Sequence, residues 1–304
     1  MRKKGTQMEK VIDQYIGRNF AFYNGDSCEL IKDIPSDSIH FSIFSPPFID
    51  LYTYSDSDRD IGNCKSSEEF DIHMKFLIRE LYRIMMPGRI VAVHCMDMPA
   101  MKFKDGYIGM KDFPGELVQI FSECGFIPHC RITIWKNPVT AMQRTKAIGL
   151  LHKQLKKDAC MCRTGFPDYL LAFRKPGDNP EPVTNTNETF PVSQWQEYAS
   201  PVWMTINQSN TLQASSARDS KDEKHICPLQ LDVIERGIRL WTNEGDTVFT
   251  PFGGIGSEVY QALKMNRHGI GIELKPTYYK QAVKNCRSAE EMKQESLFDD
   301  GGLL

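Results

Sequence analysis

Residues 41–48, Phe41-Ser42-Ile43-Phe44-Ser45-Pro46-Pro47-Phe48, pass from an apolar run straight into a Ser-Pro-Pro-Phe stop. The run of β-branched and aromatic residues has the pattern of a buried strand that ends abruptly. Two consecutive prolines fix φ and remove two backbone donors, so neither helix nor sheet continues through them. What remains is a rigid turn whose carbonyls lack local N–H partners, with Ser45 before it and the Phe48 ring after it. Such a turn suits a flat heterocycle carrying an exocyclic NH₂, because the serine and a carbonyl accept from the amine while the ring stacks on the base. On its own, Pro-Pro reads as an ordinary strand-to-loop exit, and the weight comes from a second motif far downstream.

Upstream, Phe20-Ala21-Phe22-Tyr23 reads as a short strand broken by Asn24-Gly25-Asp26, and Ser27 to Ile34 has helical spacing. With the strand over 39–44 this makes a strand–helix–strand unit, the building block of a parallel sheet. Ligands in such sheets sit beyond the carboxyl ends of the strands, so Asp26 and Ser45 are expected to line one crevice. An acid at the position of Asp26 is as often only a helix cap. Residues before Gly17 read as a loose or helical lead-in. Downstream, the polar stretch from Asp50 to Lys65 is long enough to form a lid over the turn. A helix then opens at Ser66-Ser67-Glu68-Glu69 and carries Phe70, Met74, Leu77, Ile78 and Leu81 on one face. Arg89 to His94 is the next strand. A half-buried histidine at a strand end is more often structural than functional, and His94 is read so.

Gly115 to Cys124 supplies another helix, and Phe126–Trp135 and Asp168–Arg174 read as neighbouring strands. Between those strands Arg144, Lys146, Lys153, Lys156, Lys157 and Arg163 crowd together with very little acid. The bland reading is a solvated helix face. The functional one is phosphate contact, which positions nucleic acid without reading its sequence. With 37 Lys and Arg against 39 Asp and Glu the net charge is −2, so any basic footprint has to be local. Lys175 to Lys224 is rich in Asn, Thr, Ser, Gln and Pro and reads as an irregular connection, partly docked through Trp195, Tyr198 and Trp203. The 9 cysteines lack paired C-x-x-C spacing, and Cys160-Met161-Cys162 is too tight for a zinc site. They read as reduced thiols, with no metal implied. No run reaches the length of a membrane span and the start lacks an apolar signal core, so a soluble cytoplasmic protein is expected.

The second motif follows a helix expected over Leu229–Trp241. It is Asp246-Thr247-Val248-Phe249-Thr250-Pro251-Phe252-Gly253-Gly254-Ile255-Gly256-Ser257, an apolar strand entering a glycine-rich turn that opens a helix to about Met265. His268 to Glu273 is the next strand, and Glu273 lies at the distance where an acid accepts from ribose hydroxyls in dinucleotide folds. The loop alone also fits a nicotinamide or flavin site, although it lacks a clean G-x-G-x-x-G. A last helix is expected from Lys275-Pro276 to about Arg287, with a mobile acidic tail beyond Ser288.

Ser45-Pro46-Pro47-Phe48 resembles the Asp/Asn/Ser-Pro-Pro-Tyr/Phe/Trp motif of DNA amino-methyltransferases, which methylate cytosine N4 or adenine N6. Pro251-Phe252-Gly253-Gly254-Ile255-Gly256 is similar to the S-adenosylmethionine loop of the same enzymes, and the order of the two motifs is that of the permuted β group. The resemblance implies a Rossmann-like α/β fold with a mostly parallel seven-stranded sheet and helices on both faces. It divides the chain into a catalytic half (18–175, with the basic insert at about 139–165), a variable target-recognition region (176–224), a cofactor-binding half (225–287) and the tail (288–304). It implies that Ser45, Pro46, Pro47 and Phe48 hold the target base, that Asp26 binds the cofactor adenine and that Glu273 binds its ribose. Thr250, Phe252, Gly253, Gly254, Gly256 and Ser257 then border the rest of the cofactor, with Pro228 closing over it. Thr250 stands where many members have Asp, and serine at the first motif position is commoner in cytosine-N4 enzymes. The implied partner is double-stranded DNA, for a monomer or homodimer that is either an orphan enzyme or the modification partner of a separate cognate restriction endonuclease. Two rival classes are a methyltransferase acting on RNA bases or protein glutamine, and a catalytically silent nucleic-acid-binding relative. The motif order, the basic insert and the intact motifs argue against both.

Overall fold

The computed structural model describes residues 10–47, 64, 67–100, 102–140, 150–212 and 228–299. Its strands are β1 (Val11–Ile16), β2 (Phe20–Gly25), β3 (Ile39–Phe44), β4 (Met85–Met96), β5 (Met98–Ala100), β6 (Gly109–Lys111), β7 (Ile127–Ile134), β8 (Asp168–Arg174), β9 (Val202–Trp203), β10 (Thr247–Thr250) and β11 (His268–Glu273). The helices are α1 (Ser27–Leu30), α2 (Ser67–Ile84), α3 (Lys102–Asp105), α4 (Phe113–Glu123), α5 (His152–Leu155), α6 (Val192–Tyr198), α7 (Leu231–Trp241), α8 (Ser257–Lys264) and α9 (Pro276–Asp299).

Nine strands make one sheet in the order β1-β2-β11-β10-β3-β4-β8-β7-β9. The five from β2 to β4 are parallel, and β8 runs antiparallel between β4 and β7. The expected seven-stranded sheet is the stretch from β2 to β7, to which β1 and β9 add an edge on either side. Alternation along β4 serves two cores, as period 2 requires. Val91 and Val93 pack with α2 and α4, whose Met74, Leu77, Ile78, Leu81, Leu117 and Phe121 are buried. Ile90 and Ala92 face the other way, toward Val233, Ile234 and Ile238 of α7.

Three sequence expectations are revised. Within the lead-in before Gly17, Val11–Ile16 is β1, antiparallel to β2. Its largely exposed residues give an edge strand little amphipathic signal. The last helix passes Arg287 and runs to Asp299, because Ala289 packs against the Phe20–Phe22 cluster and Glu290 accepts from the Asn19 N–H at 2.7 Å. The polar connection after Lys175 is anchored more firmly than its composition suggests. Trp203 is buried, donates its indole N–H to the Tyr198 carbonyl at 3.0 Å, and belongs to β9, which pairs with β7. Arg236 of α7 stacks over the Tyr198 and Trp203 rings and pairs with Glu197 at 2.7 Å, while Trp195 stays exposed.

At the amino edge of the parallel strands, Arg89 and Asp246 form a buried ion pair, NH1 to Oδ2 at 3.0 Å. It ties β4 to the turn that launches β10 across the intervening β3. Asp246 Oδ2 also accepts from the Asn243 N–H at 2.8 Å, whereas Arg89 Nε and NH2 have no protein partner. Removing the carboxylate leaves a buried guanidinium without compensation. Asp246→Ala is expected to cost about 3–5 kcal/mol, read as a lower urea midpoint with an unchanged slope.

Candidate active site

Strands β2 and β3 follow one another in sequence but are not neighbours, because β11 and β10 lie between them. From β10 the chain leaves through α8 toward β11 on one side. From β3 it leaves through α2 toward β4 on the other. The loops after β10 and β3 therefore diverge, and a crevice opens between them at the switch point of the sheet. Both sequence motifs lie there: the glycine loop follows β10, and Ser45-Pro46-Pro47 follows β3. The rings of Phe44 and Phe252, one from each arm, meet edge-on with centroids 5.6 Å apart.

On the glycine side the loop is held by main-chain bonds. Gly253 N–H donates to the Ile272 carbonyl at 2.7 Å, and Gly256 N–H to the Gly253 carbonyl at 2.7 Å. Gly256 has φ +86° and begins α8, and a Cβ there would press on Ala282 of α9 at 3.1 Å. Only glycine takes this backbone at this spacing. A Cβ on Gly253 would meet the Phe22 ring at 2.5 Å. Glu273 holds the loop with one oxygen, accepting from Gly254 N–H at 2.7 Å, and with the other accepts from Lys275 N–H at 2.8 Å just past its own strand. Asp26 caps α1 by accepting from Cys28 N–H at 2.9 Å, and Ser27 Oγ donates to the Pro251 carbonyl. Asn24 ties β2 to β11 through the carbonyls of Glu273 and Leu274. Ser257 is buried on the first turn of α8, and Thr250 at the end of β10 is fully buried with an unpartnered hydroxyl. That orphaned Thr250 hydroxyl and the Glu273 carboxylate at the rim fit a polar ligand with hydroxyl groups, such as an S-adenosyl cofactor. Pro228 sits half-buried ahead of buried Leu229, which anchors it to the α7 face.

On the other arm Pro46 and Pro47 are buried and Ser45 is half-buried. Ser45 Oγ lies 2.9 Å from His94 Nδ1 at the end of β4. His94 Nε2 is 3.1 Å from Asp168 Oδ2 at the start of β8, and Lys136 Nζ, just past β7, is 2.5 Å from Asp168 Oδ1. Burial alone would push the Asp168 carboxyl up, but His94 and Lys136 outweigh it and hold it below the usual carboxylate range. His94, read from sequence as structural, touches the motif serine. Asp168 and Lys136 were not singled out at all. Their signal was that acid and base flank strands ending at the crevice edge, which becomes visible only once β8 is known to run antiparallel.

Phe48, Arg144 and Lys146 lie outside the described residues. Lys153, Lys156 and Lys157 are exposed, and Arg163, half-buried, stacks over the Phe166 ring at 3.8 Å. All four belong to the insert between β7 and β8, which leaves and rejoins the sheet at the crevice edge. Burial, with Asp26 and Glu29 adding, pushes the Cys28 thiol up to about 12, far from a nucleophilic thiolate. Among the described residues His40, Glu181 and Asp246 form the one group with metal-ligand types. His40 Nδ1 accepts from Thr247 N–H at 3.1 Å, so Nε2 carries the hydrogen and donates to Glu181 at 3.0 Å. With Arg89 on Asp246 this is an ion-pair network at the edge opposite the crevice.

A family model described as DNA methylase matches residues 39–284. The chain is 25% identical to the type II methyltransferase M.BglII of Bacillus subtilis, over 84% of this chain and 66% of that protein. It is 21% identical to the type II methyltransferase M.MjaI of Methanocaldococcus jannaschii, over 85% and 88% respectively. Among solved structures, a protein of Thermus thermophilus described as a DNA modification methylase, complexed with S-adenosyl-L-methionine, superposes with a TM-score of 0.63 at 21% identity, over 88% of this chain and 94% of that one. The cytosine-N4-specific PvuII DNA methyltransferase gives 0.62 at 19% identity, over 88% and 86%.

Glu258, in the first turn of α8, is buried, and burial with the nearby Glu273 carboxylate pushes its carboxyl up to about 8. The folded state therefore holds this proton above the pH at which the unfolded chain releases it. Stability is full below the ordinary carboxyl range and is lost as pH rises through about 8. Glu258→Gln is expected to remove that alkaline loss, so thermal midpoints of the two chains measured from pH 5 to 9 should converge at the acid end and separate at the alkaline end.

Proposed function

The chain belongs to the DNA methylase family that modifies amino nitrogens, and on that premise we propose that it is a site-specific enzyme moving a methyl group from S-adenosylmethionine to the N4 amine of a flipped-out cytosine. What carries this reading is the placing of the Ser-Pro-Pro turn and the glycine loop on the two arms of one crevice. The cofactor brings an electrophilic methyl group on a sulfonium sulfur. Thr250, the 252–257 loop and Glu273 are the residues to hold it, with Asp26 and Pro228 beside them. The Ser45 hydroxyl and the Pro46 carbonyl accept from the target NH₂ and aim its lone pair, which is catalysis mainly by positioning. A paired, stacked amine is out of reach, so the base leaves the duplex first. Stacking on Phe48 returns on the order of 1–3 kcal/mol of that cost.

Lys153, Lys156 and Lys157 with Arg163, on the insert that rejoins the sheet at the crevice edge, supply phosphate contacts, and Arg144 and Lys146, near them in sequence, are candidates to add to these. Target reading falls to this insert and to residues 176–224. Serine at position 45 favours cytosine over adenine by family preference, since both amines offer the same geometry. A separate restriction endonuclease of matching specificity is the natural partner of such an enzyme. Among the described residues no helix is long and apolar enough to cross a membrane, in keeping with work on DNA in the cytoplasm.

Labelled S-adenosylmethionine incubated with mixed-sequence duplex DNA, followed by nucleoside analysis, is expected to yield N4-methylcytosine. N6-methyladenine would reassign the base, and label appearing in RNA or protein instead would overturn the DNA reading. Ser45→Ala should slow transfer by about 10²–10³, as loss of a positioned hydrogen-bonding group does, while cofactor binding measured by calorimetry stays within about twofold.

A further inference from the structure

Ser45, His94, Lys136 and Asp168 come from four separate places in the chain and touch in series. The serine follows β3, the histidine lies on β4, the lysine follows β7 and the aspartate opens β8. The chain of contacts runs from Ser45 Oγ to His94 Nδ1 at 2.9 Å, from His94 Nε2 to Asp168 Oδ2 at 3.1 Å, and from Asp168 Oδ1 to Lys136 Nζ at 2.5 Å. Side-chain exposure is 2% for Asp168 and 11% for His94, so solvent contributes little to satisfying either. Lys136 reaches further to Met96 Sδ at 3.9 Å, which sets its ammonium over the end of β4.

The order of donors and acceptors follows from charge. An ionised carboxylate accepts only, and an ammonium donates only. Asp168 therefore faces the Lys136 ammonium with one oxygen and the His94 ring with the other, each at ion-pair distance, and calls for a hydrogen from both. A ring that carries its hydrogen on Nε2 has a bare lone pair on Nδ1. The Ser45 hydroxyl meets that lone pair and has one hydrogen to give. Once it is given, both lone pairs of Oγ point away from His94. The His94–Asp168 contact is at ion-pair distance but bent from the line of an ideal bond, a geometry that commonly tightens when substrate loads.

A free serine hydroxyl rotates and offers a donor as readily as an acceptor, and a donor facing an NH₂ group is wasted. An Asp or Asn at the same motif position carries an acceptor oxygen outright. We infer that His94, held by Asp168 and Lys136, is a positioning residue that turns Ser45 into an obligate acceptor for the target amine. The inference rests on the amino-methyltransferase reading and adds to it three residues outside the two motifs. A purely structural role, a clamp between β4, β8 and β7, would use the same ion pair but would not depend on which ring nitrogen carries the proton.

Two measurements on the full chain test it. In ¹⁵N NMR of the histidine rings, with the signal assigned through His94→Asn, the hydrogen is expected on Nε2, and Asp168→Asn should let the Nδ1–H form appear. A wild-type ring with its hydrogen on Nδ1 would overturn the inference whatever the enzyme does. In methylation of mixed-sequence duplex DNA, His94→Leu should lower kcat by about 10² and leave KM for cofactor and DNA within about threefold. His94→Asn, whose Oδ1 falls where Nδ1 was, should recover to within about tenfold of wild type. The Ser45→Ala, His94→Leu double variant should be no slower than Ser45→Ala alone, because both remove one unit. Effects that multiply, or a His94→Asn chain as slow as His94→Leu, would sink the positioning role while leaving the methyltransferase intact. A wild-type chain that methylates no DNA would instead bring down the reading beneath it, with the NMR result still deciding the tautomer.

Discussion

Everything in this molecule depends on β10 pairing with β3. A strand as apolar as Phe41–Phe44 cannot leave its N–H and C=O groups unpaired in a core, and its sequence neighbour β2 does not cover them. Strand β10 does, with Val248 against Phe41 and Phe249 against Ser42, although it lies some two hundred residues downstream in the numbering. That pairing closes the sheet and reverses the winding of the chain at one point. The reversal makes the crevice, and the crevice brings a proline turn from the first half to a glycine turn from the second.

Two buried acids mark the two ends of this sheet and serve opposite purposes. At the amino edge Asp246 is consumed by Arg89 and by a backbone N–H, a closed arrangement suited to holding strands. At the carboxyl edge Asp168 points its charge through an imidazole at a half-buried hydroxyl that opens on the crevice. The chemical groups are similar, but only the second chain of contacts ends at a half-buried hydroxyl on the crevice. Buried ion pairs are weak evidence of stability in general, and the contrast shows why location along the strand decides what such a pair is for.

The glycine arm shows the same economy on the backbone. Glu273, expected as a ribose ligand, also clamps the loop through the Gly254 N–H, so its carboxylate builds the pocket it is proposed to serve. Asp26 similarly caps the helix after β2. Ligand and cap were alternatives from sequence. In the fold, one carboxylate oxygen does the capping and the residue still stands at the crevice edge.

The sequence by itself determined the local pieces: where strands stop at Pro46 and at the glycines, which face of α2 is apolar, that β11 ends in an acid, and that basic residues gather between β7 and β8. Those are properties of residues within a few positions of each other, set by sterics and periodicity, and motif resemblance added their chemistry. Edge strand β1, the extension of α9 and the pairing of β9 with β7 were not legible, because exposed or polar segments gain order only from partners far away in the chain. The same holds for Ser45, His94, Asp168 and Lys136. No spacing links 45 to 94, 136 and 168, and they converge because β4, β8 and β7 pair in alternating directions and bring their ends to one edge. Tertiary structure alone decided that convergence, since hydrogen-bond register between distant strands, and no local propensity, sets which side chains share a site.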